Sequence, residues 1–408
     1  YSSQRSKEHP IIMAGGPCTF NPEPMADFFD IVVIGEGEDV IGSIIEEYLY
    51  HKSSNTSRLS FFKNLSKYQG IYIPQLYDVE YKEGKFDKII PLEGAPKTVD
   101  KVFVKNLNTA PWPEKPILPF LQLVHDRVTM EIFRGCTRGC RFCQAGMIYR
   151  PVREKSVDLI INQTKENLSA TGYEEVSLTS LSSGDYSRLS DLIINMHNEL
   201  KGTCTTISLP SLRLDAHAKE YMESLETQRK AGLTLAPEAG SQRLRDVINK
   251  NVTEEDLKLS VHNAFSNGYS SVKLYFMLGL PTETYDDVAA IADLVSLVKD
   301  EYYKIPKEHR QGRLRIVVST SCFIPKAHTP FQWYVQDSMD EFMQKQFFLK
   351  DKLKKINGAV YNYHDAKVSH IEAIFAKGDR QLAPVIQKAC ELGCRFESWS
   401  EHFEFDTW

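Results

Sequence analysis

Nowhere in these 408 residues does an apolar run approach the roughly 18 residues of a membrane-spanning helix. No hydrophobic leader is visible either, and the expectation is a cytoplasmic protein with no membrane partner. Charge of one sign is also lacking: 49 Lys and Arg against 54 Asp and Glu leave a net charge of −5. That is too little for a dominant electrostatic grip on nucleic acid, so no strong nucleic-acid signal is present. Eight cysteines in a chain of this length are too few for a disulfide scaffold. An initiating methionine is missing, since the sequence opens on Tyr1, and the expectation is a chain cut at its N-terminus. What is there is 42% hydrophobic and 25% charged residues, the balance of a globular protein with a large core. The length predicts two or three domains.

The cysteines are unevenly placed. Cys136, Cys140 and Cys143 stand in one loop, spaced C-x3-C-x2-C, with Gly135 and Gly139 before the first and second. Thiolates are soft ligands suited to iron–sulfur clusters, zinc and copper(I). A four-iron cluster takes one ligand per iron, so three cysteines leave one iron free to bind something else. Zinc normally takes four ligands, in pairs of C-x2–4-C or H-x3–5-H, and no partner pair stands at a suitable distance. The remaining five, Cys18, Cys204, Cys322, Cys390 and Cys394, read as small buried apolar side chains, with a second metal site at Cys390-x3-Cys394 the lesser reading.

From about residue 127 apolar runs alternate with amphipathic ones. Strands are predicted at 128–133, 175–182, 205–212, 232–236, 271–278 and 314–323. Helices are predicted at 156–170, 188–200, 216–225, 253–265 and 285–302, several with Ser or Thr caps and a following glycine. Such alternation implies a parallel sheet of right-handed βαβ units, and six repeats suggest a partial (βα)6 TIM-like barrel. Ligands gather at the C-terminal strand ends of such sheets. The cysteine loop and the polar segments 182–185, 210–213, 237–241, 279–283 and 325–328 all fall at those ends. Tyr275, Phe276 and Met277 read as core.

The flanks differ. Residues 1–50 read as the C-terminal half of a Rossmann-like sheet, with strands running into Gly15-Gly16 and into Gly35-Glu36-Gly37-Glu38. Residues 51–126 read as a connector, 127–340 as the barrel and 341–408 as a small α+β region.

With the cysteine loop after the first strand of this pattern, the chain resembles the radical S-adenosylmethionine (SAM) superfamily. The runs 131–136, 141–146, 209–213, 236–241, 323–326 and 329–331 resemble its cobalamin (B12)-binding branch. The resemblance implies that Cys136, Cys140 and Cys143 hold a 4Fe–4S cluster and that Phe142 lies beside the adenine of SAM. It places Ser182, Ser183, Gly184 and Asp185 at the methionine amino group, although they depart from the family's Gly-Gly-Glu segment. Arg213 joins the SAM site. Glu238 and Ser241 face the ribose and methionine carboxylate, with Arg243 or Lys250 as charge partners, and Gly279, Leu280 and Pro281 let the backbone approach the adenine.

Gly15, Gly16, Gly35, Glu36, Gly37 and Glu38 would form part of a cobalamin site, although the signature Asp-x-His-x-x-Gly is absent. The implied activity is reductive cleavage of SAM to a 5′-deoxyadenosyl radical, serving cobalamin-dependent methylation or a radical rearrangement of an unknown substrate. A flavodoxin- or ferredoxin-type protein would supply the electron.

Other readings stay open. One is a methylthiotransferase-like enzyme acting on tRNA or a ribosomal protein; it needs three further N-terminal cysteines, and residues 1–135 contain only Cys18. Another is a non-catalytic, zinc-bearing RNA-binding module. Gly35-Glu36-Gly37-Glu38 also reads as a plain strand-to-helix turn, Glu238 as a helix-terminus carboxylate, and His328 as a surface residue or a substrate contact.

Overall fold

The structure is a computed structural model that describes residues 1–121, 123–208 and 233–408. They form two compact units, one of residues 1–106, 326–328 and 371–408, the other of residues 107–325 and 329–370. This partition differs from the four consecutive segments expected. The region 341–408 is divided between the units.

In the first unit, β1 (Met13–Ala14) pairs parallel with β2 (Ile31–Val33), and β2 pairs antiparallel with β3 (Ile71–Tyr72). All residues of β2 are buried, as in a strand covered on both faces. Short 3-10 turns, Pro17–Phe20 and Glu23–Phe28, connect β1 to β2 where a Rossmann half would carry a helix. Helices Val40–Ser54 and Arg58–Leu65 follow β2, and Phe61, Phe62 and Leu65 complete its core. A hairpin of β4 (Tyr77–Lys82) and β5 (Lys85–Pro91) turns at Glu83 and Gly84, both at positive φ.

The chain's last residues close this unit. Arg380 donates to Glu23, the Tyr72 hydroxyl and the Tyr77 carbonyl, each at 2.8 Å, and to the Pro74 carbonyl at 3.1 Å. The Asn21 amide donates to the carbonyls of Ala376 and Gly378 at 3.0 and 3.3 Å, beside the C-terminus of helix Ala366–Lys377.

The second unit carries the βα alternation. β6 (Val128–Glu131), followed by the short antiparallel pair β7 (Phe133–Arg134) and β8 (Arg153–Glu154), lies parallel to β9 (Glu175–Thr179), which is parallel to β10 (Thr206–Ser208). A second parallel sheet runs in chain order through β11 (Leu233–Glu238), β12 (Ser271–Leu278), β13 (Arg315–Cys322) and β14 (Ala359–Tyr363). The six expected strands are present, and β14 is a seventh parallel one. Helix Met339–Leu353 is its crossover, so residues 341–363 continue the βα pattern rather than starting an α+β region.

The seven parallel strands of this unit fall in two sheets, and the segment between β10 and β11, with the predicted helix 216–225 and Arg213, lies outside the described residues. Helices begin where the caps predict: Ser156 accepts the Leu159 N–H, and Thr253 and Thr284 form capping boxes with Asp256 and Asp287.

Alternation along β12 sends Val272, Leu274, Phe276 and Leu278 into the core against helix Tyr285–Lys304. Tyr275 therefore faces the other way and is 39% exposed, which corrects its assignment to the core. Three of the cysteines expected to be buried, Cys18, Cys204 and Cys390, are exposed; Cys322 is buried.

Candidate active site at the strand ends of the second unit

The cysteine loop leaves β7 through Gly135, at φ +91, where a Cβ would lie 2.8 Å from the Pro151 carbonyl and 2.9 Å from that of Tyr149. Only glycine fits there. Cys140 is buried, and Cys136 and Cys143 are half-buried. The Cys143 sulfur accepts the Gly146 N–H at 3.3 Å. Burial raises the pKa of this thiol; the Gly146 N–H opposes the shift, and the charges of Cys140, Cys136 and Glu238 add to it. A thiolate at Cys143 is thus disfavoured until a cation binds, and three soft thiol donors in one short loop fit an iron cluster. Among the described residues no group of three or more His, Cys, Asp or Glu side chains is already arranged around a metal position.

Two neighbouring segments hold this loop. Arg138, between the first two cysteines, makes a two-pronged ion pair with Asp185, its Nε at 2.8 Å. Asp185 closes the turn Ser183–Asp185 after β9, and its N–H donates to the Ser182 carbonyl at 2.8 Å. The side chain expected to meet the methionine amino group is therefore paired with the cluster loop. Gly184 forms the middle of this turn. Ser183 shares a hydrogen bond with Ser180 at 2.9 Å, whereas the Ser182 hydroxyl is buried with no partner among the described residues. On the other side, the Asn249 amide donates to the Gly139 carbonyl at 2.9 Å, and the Arg141 N–H donates to the Ile248 carbonyl at 3.0 Å.

β11 ends at Glu238, held at φ +70, a conformation unfavourable for any residue with a Cβ. Its carboxylate pairs with Lys250 at 3.2 Å, so Lys250 is the partner that Glu238 takes. Arg243 turns instead to Asp287 and to the Thr282 carbonyl, the latter at 2.9 Å. Ser241 caps helix Gln242–Val247, accepting the Leu244 N–H at 3.1 Å, and donates to Asp287, so its hydroxyl is already occupied within the protein. Gly240 touches helix Tyr285–Lys304 so closely that a Cβ would lie 2.4 Å from the Asp287 carbonyl.

Asp287 thus ties the loop after β11 to the helix after β12. Burial pushes its carboxyl up, but hydrogen bonds from Arg243, Ser241 and Thr284 outweigh that and bring it to about 2, from 3.8. The native state binds this proton less tightly than the unfolded chain, so the stabilisation is present above 3.8 and is lost as pH falls through about 2. Asp287→Asn is expected to destabilise by about 2 kcal/mol at pH 7. In urea denaturation, the difference from wild type should shrink by about half at pH 3.

After β12, Gly279 stands at φ +77 and donates its N–H to Glu283 at 2.7 Å. A Cβ there would lie 2.4 Å from the Phe342 ring and 2.9 Å from the Asp337 carboxylate. Protein packing by itself therefore already requires glycine at this position. Leu280 is buried in a cluster with Phe323, Phe331 and Ile248, and Phe142 and Met277 pack against it; Pro281 is buried too. This brings the aromatic of the cysteine loop against the strand ends of the second sheet. Sequence reasoning missed Arg138 and Asn249, for which the signals were a cation between two cysteines and the Asn-Lys-Asn run at 249–251.

The residues expected at cobalamin lie in the first unit. Gly35, at φ +120, forms an isolated parallel bridge with Val102, and a Cβ there would lie 2.0 Å from the Val102 carbonyl oxygen. Glu36 accepts the Val104 N–H at 2.7 Å. Those two are accounted for by chain pairing. Gly16 and Gly37 face open space, Gly15 meets only the Val33 side chain, and Glu38 precedes helix Val40–Ser54. His328 bonds the Phe20 carbonyl at 2.8 Å within the same unit, which accounts for it as a structural contact.

Residues 130–295 match the Radical SAM superfamily, and residues 1–74 match the N-terminal region of radical SAM proteins. An uncharacterized protein of Methanocaldococcus jannaschii is 30% identical over 383 residues, which are 93% of this chain and 74% of that protein. The chain belongs to the radical SAM superfamily. It is accordingly a radical SAM enzyme, and the family's cofactors are a 4Fe–4S cluster and SAM. The ribosomal protein uS12 methylthiotransferase RimO of Desulfotalea psychrophila is 24% identical over 224 residues, 52% of this chain and 49% of that one. Among solved structures, the radical SAM methyltransferase TsrM of Kitasatospora setae, with cobalamin and a 4Fe–4S cluster bound, is 13% identical at a TM-score of 0.49. The match covers 78% of this chain and 58% of that one. The cobalamin-dependent radical SAM enzyme OxsB is 13% identical at a TM-score of 0.47, covering 88% and 53%. The chain spans a little over half the length of these two structures.

Among the described residues no helix is long and apolar enough to cross a membrane.

Proposed function

We propose that this enzyme cleaves SAM reductively at the strand ends of its second unit. It then delivers the radical, or a methyl group with cobalamin as second cofactor, to a further substrate. The observation that carries the reading is that Arg138–Asp185 and Asn249–Gly139 contacts tie the three-cysteine loop to the strand ends bearing Glu238 and Lys250. Cys136, Cys140 and Cys143 would hold the cluster, leaving one iron for SAM. When bound, the cluster supplies the electron that splits the sulfonium S–C5′ bond into methionine and a 5′-deoxyadenosyl radical.

The chain's own residues bind and orient. Lys250 offers a cation to the methionine carboxylate, and Glu238 offers acceptors to the ribose hydroxyls. Both side chains are mostly buried, 12% and 17% exposed, where charge is weakly screened. The unpartnered Ser182 hydroxyl offers an acceptor to the amino group. Phe142 and Leu280 provide an apolar wall for the adenine and exclude water. For cobalamin, the parallel β1–β2 pair and the open turns at Gly16 and Gly37 support the reading, while Gly35 and Glu36 serve the fold.

Anaerobic reconstitution should give about four irons per chain with broad visible absorption. Reduced protein given SAM should then release 5′-deoxyadenosine and methionine. Stoichiometric zinc without that absorption, and no nucleoside product, would sink the proposal. Passage over a sizing column after incubation with hydroxocobalamin tests the second cofactor: cobalamin should co-elute, and its complete loss overturns that part.

A further inference from the structure

Helix Gln242–Val247 stops in a turn with an uncommon composition, Asn249-Lys250-Asn251. Both asparagines are left-handed, at φ 55 and 50, a conformation that Asn tolerates better than other residues with a Cβ. The turn is closed by the Asn249 N–H on the Asp246 carbonyl at 3.1 Å and the Lys250 N–H on the Arg245 carbonyl at 2.9 Å. Neighbouring side chains then reach different targets. The Asn249 amide donates to the carbonyls of Gly139 and Arg138, at 2.9 and 3.4 Å, inside the stretch between Cys136 and Cys140. Lys250 reaches Glu238 at 3.2 Å, at the end of β11. A Cβ on Gly139 would sit 3.3 Å from the Asn249 amide nitrogen, so the fit leaves little slack.

We propose that Asn249 is a positioning residue for SAM. It pins the backbone of the cluster loop to the turn that carries Lys250, so that cluster and charge pair keep one fixed spacing. A ligand held by both the free iron and the Lys250–Glu238 pair binds well only if that spacing is set beforehand. A carboxylate at 249 could not serve, because it has no hydrogen to donate to two carbonyl oxygens at neutral pH. The inference rests on the proposed function.

The test uses reconstituted full chain, with SAM as the probe. Asn249→Ala should keep about four irons and the visible spectrum. Its KM for SAM should rise about tenfold, more than kcat falls, and the change that SAM causes in the electron paramagnetic resonance signal of the reduced cluster should weaken. Asn249→Gly, which keeps the left-handed turn without the amide, should show the same defect. Combined with Lys250→Met, Asn249→Ala should add little to the KM already lost, because the two residues act through one contact. A wild-type KM and spectral response in either single variant overturns the proposal. So does loss of iron in both, which would assign the amide to building the cluster loop alone. Should wild type itself show no cluster signal and no SAM cleavage, the proposed function fails, whatever Asn249 does.

Discussion

Alanine at Cys136, at Cys140 or at Cys143 should reduce 5′-deoxyadenosine formation to background, each change acting alone. Each thiolate is expected to hold a different iron, so no pair can substitute for the third. Loss should be visible before activity is assayed, as iron and sulfide content well below four per chain and a bleached spectrum. Cys204→Ala is the control, since Cys204 is exposed and lies outside the loop; it should retain iron and activity. Full activity in any of the three variants would remove the loop from the chemistry.

The second large effect concerns stability. Lys345 is 4% exposed and sits between Glu283, at 3.0 Å, and Asp337, at 2.7 Å. Glu283 is buried as well, and besides Lys345 it accepts the Gly279 N–H. Lys345→Met strands that carboxylate in the core and should cost about 3–5 kcal/mol, read as a lowered urea midpoint at pH 7. Burial raises the Glu283 carboxyl above its ordinary range even though Lys345 and the Gly279 N–H pull it down. Without Lys345 the rise must grow. The native state then binds that proton more tightly than the unfolded chain, so the variant should lose stability as pH rises above the ordinary glutamate range and regain it as pH falls. Adding Glu283→Gln removes the stranded charge and should recover part of the loss. An equally unstable double variant would show that packing, not charge, sets the cost. The loop at stake carries Leu280 and Pro281, so SAM affinity should weaken along with the fold.

Much of the site was legible because it is local in sequence. The cysteine loop, the Ser and Thr caps and the polar strand ends all lie within short windows whose residue types have few other uses. What escaped was long-range. Asn249 meets Gly139 across 110 residues, and no periodicity announces such a pairing. Gly279 and Gly35 were legible as glycines but not as to cause: the neighbours that demand them, Phe342 and Val102, lie in other segments. β14 was missed because its five residues alternate weakly and several are exposed, so no apolar face marks them. Tyr275 was misassigned because a run of three apolar residues hides the two-residue period of a strand.

The dependence of the first sheet on Arg380 has a consequence for how the molecule is made. Glu23 and Arg380 are 357 positions apart, and the whole of the second unit lies between them. A ribosome delivers Glu23, Tyr72 and Tyr77 long before the guanidinium that satisfies them. The early segment must therefore wait, incompletely paired, while the βα units fold as they emerge. Of these two units, the one whose strands emerge earlier is finished later.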